Sequence, residues 1–210
     1  LDRRIADGTA DFTQGPAMTR EQALLAIETG MALVRDAREA GFSLLATGEM
    51  GIGNTTTSSA VLAALTGASI EDVTGRGGGL TDAAFLKKKE VISHALALHK
   101  PDSNDPIDVL SKVGGVDLCA MTGVFLGAAR HRLPVVVDGF ISVVAALCAA
   151  RSLSIRSQIK SCAAASSKSF PAFKITPTPA SPARNAVASS SIWQWLSVNI
   201  FILSFRNCCP

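Results

Sequence analysis

The stretch Thr47-Gly48-Glu49-Met50-Gly51-Ile52-Gly53-Asn54-Thr55-Thr56-Thr57 constrains this chain more than any other, because the hydrophobic pattern changes there in one step. Before it lies an apolar, strand-like run at residues 42–46. After it comes an Ala- and Leu-rich run at residues 56–65, with helical character and an end near Gly67. A strand that passes into a helix through three glycines lets its backbone approach a ligand closely. The Asn and Thr residues are expected to cap the helix, whose free N–H groups and dipole favour a phosphate. An anionic ligand is therefore expected at this turn, with Glu49 as its one carboxylate.

The surrounding sequence repeats this alternation of strand and helix. Thr19 to Gln22 reads as a capping box, followed by Leu24, Ile27, Met31 and Val34 at helical spacing, with Gly41 as the stop. A second glycine loop, Thr74-Gly75-Arg76-Gly77-Gly78-Gly79-Leu80, precedes a helix that starts at Thr81 or Asp82 and carries Lys87, Lys88 and Lys89. Asp105-Pro106 starts a helix that runs to Lys112, with Asp as cap and Pro in the first turn. The next helix, over residues 117–130, contains Gly123, Gly127, Ala128 and Ala129, small residues expected to let it pack closely on the sheet. Residues 133–137 form a β-branched run ending at Asp138-Gly139, the pattern of a parallel strand buried on both faces, and a helix follows over residues 142–150. Such alternation predicts an α/β fold: a partial Rossmann-like parallel sheet flanked by helices, with ligands beyond the carboxyl ends of the strands, where Glu49 and Asp138 both fall.

Composition divides the chain near Arg151. Six of the 20 basic residues but none of the 17 acidic ones lie after it, so residues 1–151 hold 14 basic against 17 acidic, a net charge of −3 hidden within the overall +3. A basic nucleic-acid-binding domain is excluded on that ground. All 17 glycines lie at or before Gly139, while the tail holds both tryptophans. The expected organisation is an α/β domain over residues 1–151 and an irregular, poorly folded tail over residues 152–210, with a shifted reading frame as the leading account of the change and a genuine variable tail as the alternative. The five cysteines are odd in number and form no C-x-x-C pair, which fits a reducing cytoplasm. The chain begins Leu1-Asp2-Arg3-Arg4, without Met or an apolar signal core, so no secretory peptide is read and the natural start is expected to be missing. The apolar run at residues 192–205 is short for a bilayer and carries Gln194, Ser197 and Asn199, so no membrane span is expected.

Taken alone, the first glycine stretch reads as a plain tight turn, since it is not G-x-x-x-x-G-K-[ST]. Its neighbours reverse that judgement. Gly48-Glu49-Met50-Gly51-Ile52-Gly53-Asn54-Thr55-Thr56, then Asp108-Val109-Leu110-Ser111-Lys112-Val113-Gly114-Gly115, Met121-Thr122-Gly123 and the run Leu133 to Phe140 follow in an order that resembles nicotinate-nucleotide:dimethylbenzimidazole phosphoribosyltransferase, the CobT family. The resemblance covers residues 4–150, including Gly15-Pro16-Ala17-Met18, and stops near Arg151. It implies transfer of phosphoribosyl from nicotinate mononucleotide to a nitrogen of 5,6-dimethylbenzimidazole, with inversion at the anomeric carbon and with no metal or redox cofactor. It also implies a homodimer for the full-length family member.

Residue by residue, the resemblance makes Glu49 a carboxylate near the ribose and the incoming base, with Gly51, Asn54 and Thr55 in the loop around it. Lys88 becomes the cation that holds phosphate or polarises a bound water, with Gly77 and Gly79 in its loop, and Asp138 and Gly139 border the site. The family's downstream G-E-G-[ST]-G segment, whose glutamate is the implied general base, has no counterpart: no Glu follows Glu90. Its upstream A-D-H-G motif is absent too. A catalytically inactive nucleotide-binding fragment is therefore the alternative reading. Lys87 and Lys89 read as a solvated face. His94, His99 and His131 read as surface or capping residues, and Cys119 and Cys148 as small core residues. Glu90, Asp108 and Asp117 read as helix-surface or capping charges.

Overall fold

The computed structural model of the chain describes residues 3–162, and side chains as far as Leu153. Nine elements follow in order: α1 (Arg20–Glu39), β1 (Leu45–Ala46), α2 (Asn54–Thr66), α3 (Ile70–Val73), α4 (Asp82–His99), α5 (Pro106–Val113), α6 (Val116–His131), β2 (Val135–Val136) and α7 (Gly139–Cys162). Their starts follow the capping chemistry. Thr19 Oγ1 accepts from the Gln22 amide at 3.2 Å while Gln22 Oε1 accepts from the Thr19 amide at 2.9 Å, so both members of the capping box are made. Thr81 caps α4, and Asp105 caps α5 with Pro106 in its first turn. The four-residue α3 is an addition to the elements expected from the sequence; Ser69 caps it and its Val73 is buried.

The two strands pair in parallel, Leu45 with Val135 and Ala46 with Val136. Both are shorter than the apolar runs that contain them, and the sheet is open on one side. Val135 is buried, but Val136 is 47% exposed, and Phe42 and Leu44 stand out further. The expectation of burial on both faces is met on only one, because the described residues supply no layer over the other.

Helix α6 packs chiefly on α1 rather than on the sheet, which corrects the sequence reading. The glycines explain the change of partner. A Cβ on Gly123 would lie 2.0 Å from the Ile27 carbonyl oxygen, and one on Gly30 would lie 2.0 Å from that of Ala120, so the two backbones touch directly where they cross. The other side of α6 meets α7, where Thr122 Oγ1 donates to the Leu118 carbonyl at 2.7 Å and reaches the Ala145 carbonyl at 3.3 Å. Leu110, Leu118, Val144, Cys119 and Cys148 fill the core between these helices. Burial pushes the Cys148 thiol up to about 12 and the Cys119 thiol higher, so both are inert packing residues, as expected.

Arg151 is no break in the backbone, since α7 continues past it to Cys162. The irregular tail expected from residue 152 lies outside the described residues beyond Cys162, as do Trp193, Trp195 and the apolar run at residues 192–205. Among the described residues, no helix is long and apolar enough to cross a membrane.

Candidate functional site

Because β1 and β2 are parallel and in register, the chain leaves both at the same edge, into the loop at residues 47–53 and into Asp138-Gly139. A bond of 2.5 Å between Thr47 Oγ1 and Ser142 Oγ ties the two exits together. Gly51 and Gly53 both hold φ at 77°, in the left-handed region that favours glycine, and Gly53 occupies the cap position of α2. No side chain caps this helix, contrary to the expectation for the Asn and Thr residues. Asn54 is instead the first helical residue, and its side chain is committed elsewhere. The Thr56 amide donates to the Gly53 carbonyl at 3.2 Å, and no side chain takes the amides of Asn54 and Thr55 ahead of it, which leaves the start of α2 suited to an anion.

Asn54 is buried and joins two carboxylates. Its Nδ2 donates to Glu49 Oε2 at 2.7 Å and to Asp117 Oδ2 at 3.0 Å, while the Gly51 amide also donates to Glu49 Oε2. Ionised carboxylates only accept, so the amide nitrogen must face them and its Oδ1 must face away. That oxygen is buried without a partner, an arrangement that costs about 1–3 kcal/mol and is maintained by the pair of carboxylates. The sequence reading of Asp117 as a helix-surface or capping charge accounts for Oδ1, which accepts from the Leu118 amide at 2.8 Å at the start of α6, but not for Oδ2. The structure brings it beside Asn54, and Gly115 makes the room it needs: a Cβ there would lie 2.4 Å from Asp117 Oδ1.

The second glycine loop meets the same turn at Thr55. Lys88, on α4, is 6% exposed, and its Nζ donates to Thr55 Oγ1 at 3.0 Å and to the Gly75 carbonyl at 2.8 Å. It makes no ion pair among the described residues, and burial lowers its pKa from the ordinary 10.5. An ammonium has three N–H donors, so one is left for a ligand. Gly77 touches the same place, where a Cβ would lie 3.1 Å from Thr55 Oγ1 at a φ of 62°. Gly79 has φ at 94°, and a Cβ added there would meet open space.

The first turn of α2 is thus bipolar. Thr55 meets a cation, and Asn54, one residue earlier, meets two carboxylates. Such a surface can hold a molecule with phosphate at one end and hydroxyl or N–H donors at the other. Of the other residues singled out in the sequence, Asp138 is exposed and makes no ion pair among the described residues, and Gly139 has a φ of 80° where the chain turns into α7. Lys87 pairs with Glu90 on the surface at 3.6 Å, and Lys89 lies 4.5 Å over the Phe85 ring. His99 caps the N-terminal segment by bonding the Phe12 carbonyl at 2.8 Å. Asp108 bridges the Asp102 amide and Lys112, both at 2.8 Å.

An uncapped helix start, two glycine loops and a buried lysine beyond the ends of parallel strands give this α/β protein a turn chemically suited to an anion. Comparison with known proteins makes the class specific. The sequence matches the family described as Phosphoribosyltransferase over residues 1–172. It is 58% identical over 149 residues to nicotinate-nucleotide–dimethylbenzimidazole phosphoribosyltransferase of Roseiflexus sp. (strain RS-1), and 54% identical over 149 residues to that of Ruminiclostridium cellulolyticum; each match spans 71% of this chain and 42% of the relative. The crystal structure of CobT from Thermus thermophilus superimposes with a TM-score of 0.69 at 41% identity, over 74% of this chain and 47% of that one. The chain belongs to this phosphoribosyltransferase family, that of CobT. It spans less than half the length of the relatives it matches.

Proposed function

We propose that the chain takes part in transfer of phosphoribosyl from nicotinate mononucleotide to 5,6-dimethylbenzimidazole, giving α-ribazole 5′-phosphate and nicotinate, in assembly of the cobalamin lower ligand. The observation that carries the reading is Lys88, a buried ammonium with one uncommitted N–H beside the open start of α2. The nucleotide phosphate sits between Lys88, Thr55 and the amides behind Gly53, with Gly77 and Gly79 holding the second loop around it. Glu49, supported by Gly51 and Asn54, faces the ribose and the incoming base. Asp138 and Gly139 border the site at the end of β2. One azole nitrogen attacks the anomeric carbon as the bond to nicotinate breaks, and the proton on the other azole nitrogen passes to a carboxylate. Carboxylate oxygens near the oxocarbenium-like carbon stabilise the developing positive charge.

One sequence fact favours a second reading. No Glu follows Glu90 within these 210 residues, so they carry no counterpart of the general-base glutamate implied by the family resemblance, and on this reading they bind the nucleotide without turning it over. Incubation of the purified chain with both substrates, followed by chromatography for α-ribazole phosphate, separates the two, with calorimetric titration of nicotinate mononucleotide alongside. Product supports the first, binding without product the second, and neither binding nor product refutes both. Location in the cytoplasm and homodimer formation by full-length relatives are part of the same proposal, and sedimentation of a full-length relative tests the latter.

A further inference from the structure

The carboxylates of Glu49 and Asp117 lie 68 residues apart in sequence and share one side-chain amide. Asn54 Nδ2 has two hydrogens, one for Glu49 Oε2 at 2.7 Å and one for Asp117 Oδ2 at 3.0 Å. Asn54 is 8% exposed, so its amide is shielded from water on the donor side of both bonds. The other Asp117 oxygen, Oδ1, accepts from the Leu118 amide at 2.8 Å, which fixes the carboxylate to the start of α6. Gly115 leaves the room this rotamer needs. Helix α6 is in turn anchored by backbone contact on α1. At the other end of the relay, Glu49 is an exposed residue on a loop whose Met50 and Ile52 side chains are almost wholly in solvent. Its Oε2 takes both bonds that hold it, from Asn54 and from the Gly51 amide, while Oε1 accepts none among the described residues.

We propose that Asp117 is a positioning residue for Glu49, acting through the Asn54 amide: it clamps that amide so that Glu49 presents Oε1 to the ligand in one direction. The proposal rests on the reading that Glu49 faces the nucleotide. Asp117 itself touches no ligand. A role confined to starting α6 would make its removal equally costly whether or not Glu49 is present; action through Glu49 makes the two losses overlap.

The test is a double-mutant cycle on the full chain, with the Kd for nicotinate mononucleotide measured by calorimetry in wild type, Glu49→Ala, Asp117→Ala and the double variant. Asp117→Ala is expected to weaken binding about tenfold with Glu49 present and less than about twofold in Glu49→Ala. An equal loss in both backgrounds, or no loss in either, overturns the proposal. A second measurement needs no ligand. In nitrogen-edited NMR spectra both Asn54 side-chain protons are expected downfield in wild type, with one returning in Asp117→Ala and the other in Glu49→Ala. If Asp117→Ala does not fold, Glu49→Ala alone decides, since one Asn54 proton must stay downfield there. Return of both protons overturns the proposal. Wild-type chain that shows the expected Asn54 spectrum but binds no nucleotide refutes the functional reading and leaves the clamp in place.

Discussion

Lys88→Met separates a residue kept for a ligand from one kept for the fold. Met preserves most of the stem and removes the ammonium. Two bonds from a charged donor are lost, to Thr55 Oγ1 and the Gly75 carbonyl, worth about 1.5–3 kcal/mol each. Against this stands the cost of holding an ammonium that is 6% exposed with no carboxylate beside it, on the order of several kcal/mol. Gly75 is exposed and Thr55 half-buried, so water can replace the lost donor at both. The two effects nearly cancel, and the ligand-free variant should unfold within about 2 kcal/mol of wild type in urea. Nucleotide binding has no such compensation: loss of the third N–H and its charge should remove about 1.5–3 kcal/mol, or roughly 10- to 150-fold in Kd by calorimetry. The pH dependence supplies a further check. Burial lowers the folded-state pKa of Lys88 below 10.5, so between the two values the unfolded chain binds more protons, and wild type should gain stability relative to Lys88→Met as pH rises toward 10.5. The buried thiols act in the opposite sense above pH 9 but cancel in the difference. A stability loss above about 3 kcal/mol with affinity kept within about twofold would refute the assignment of Lys88 to the ligand.

Three other substitutions or treatments probe the frame around the site. Gly123→Ala sets a methyl group 2.0 Å from the Ile27 carbonyl, where backbone must move, and should cost about 3 kcal/mol and lower Tm by roughly 6–12 °C in a calorimetric scan. Gly77→Ala combines a left-handed backbone with a Cβ 3.1 Å from Thr55 Oγ1, so about 1–2 kcal/mol of strain falls on the phosphate side of the site; weaker nucleotide binding than wild type is expected, and unchanged binding would remove that loop from it. Cys119 and Cys148 should stay unmodified by a thiol-specific reagent at about pH 8 and react once the chain is unfolded, as read by peptide mass mapping, because burial raises both thiols far above that pH.

Local chemistry is the legible part of this sequence. Thr19 with Gln22, Asp105 with Pro106, and Thr81 ahead of α4 act on groups two or three residues away, and each cap forms where its pattern stands. The parallel sheet is legible from its apolar runs, but its extent is not. Strand length depends on neighbours, and the open face at Val136 shows that an apolar run fixes what a strand can bury rather than what covers it. The partner of α6 differs from the sequence expectation for a related reason. Small residues announce close approach but not the surface approached, and Gly30, which completes the crossing from α1, lies 93 residues before Gly123.

The site shows the same division between local and distant. Glu49, Asn54, Thr55 and Gly51 are readable because one turn holds them, and Lys88 rises above Lys87 and Lys89 only by resemblance, since three consecutive lysines carry no internal mark of which one points inward. The structure supplies that mark: consecutive helical residues face about 100° apart, so only one of the three can reach Thr55 and the Gly75 carbonyl, and Lys88 does. Asp117 is unreadable because nothing near it in sequence needs a carboxylate beyond a helix start. Its second oxygen acquires meaning only when α6, docked on α1 through bare glycine backbone, places it beside Asn54. The small residues that look like generic packing are therefore part of what aims Glu49, and widening the α1–α6 crossing at Gly30 or Gly123 should disturb the carboxylate side of the site before the Lys88 side, which hangs from α4 instead.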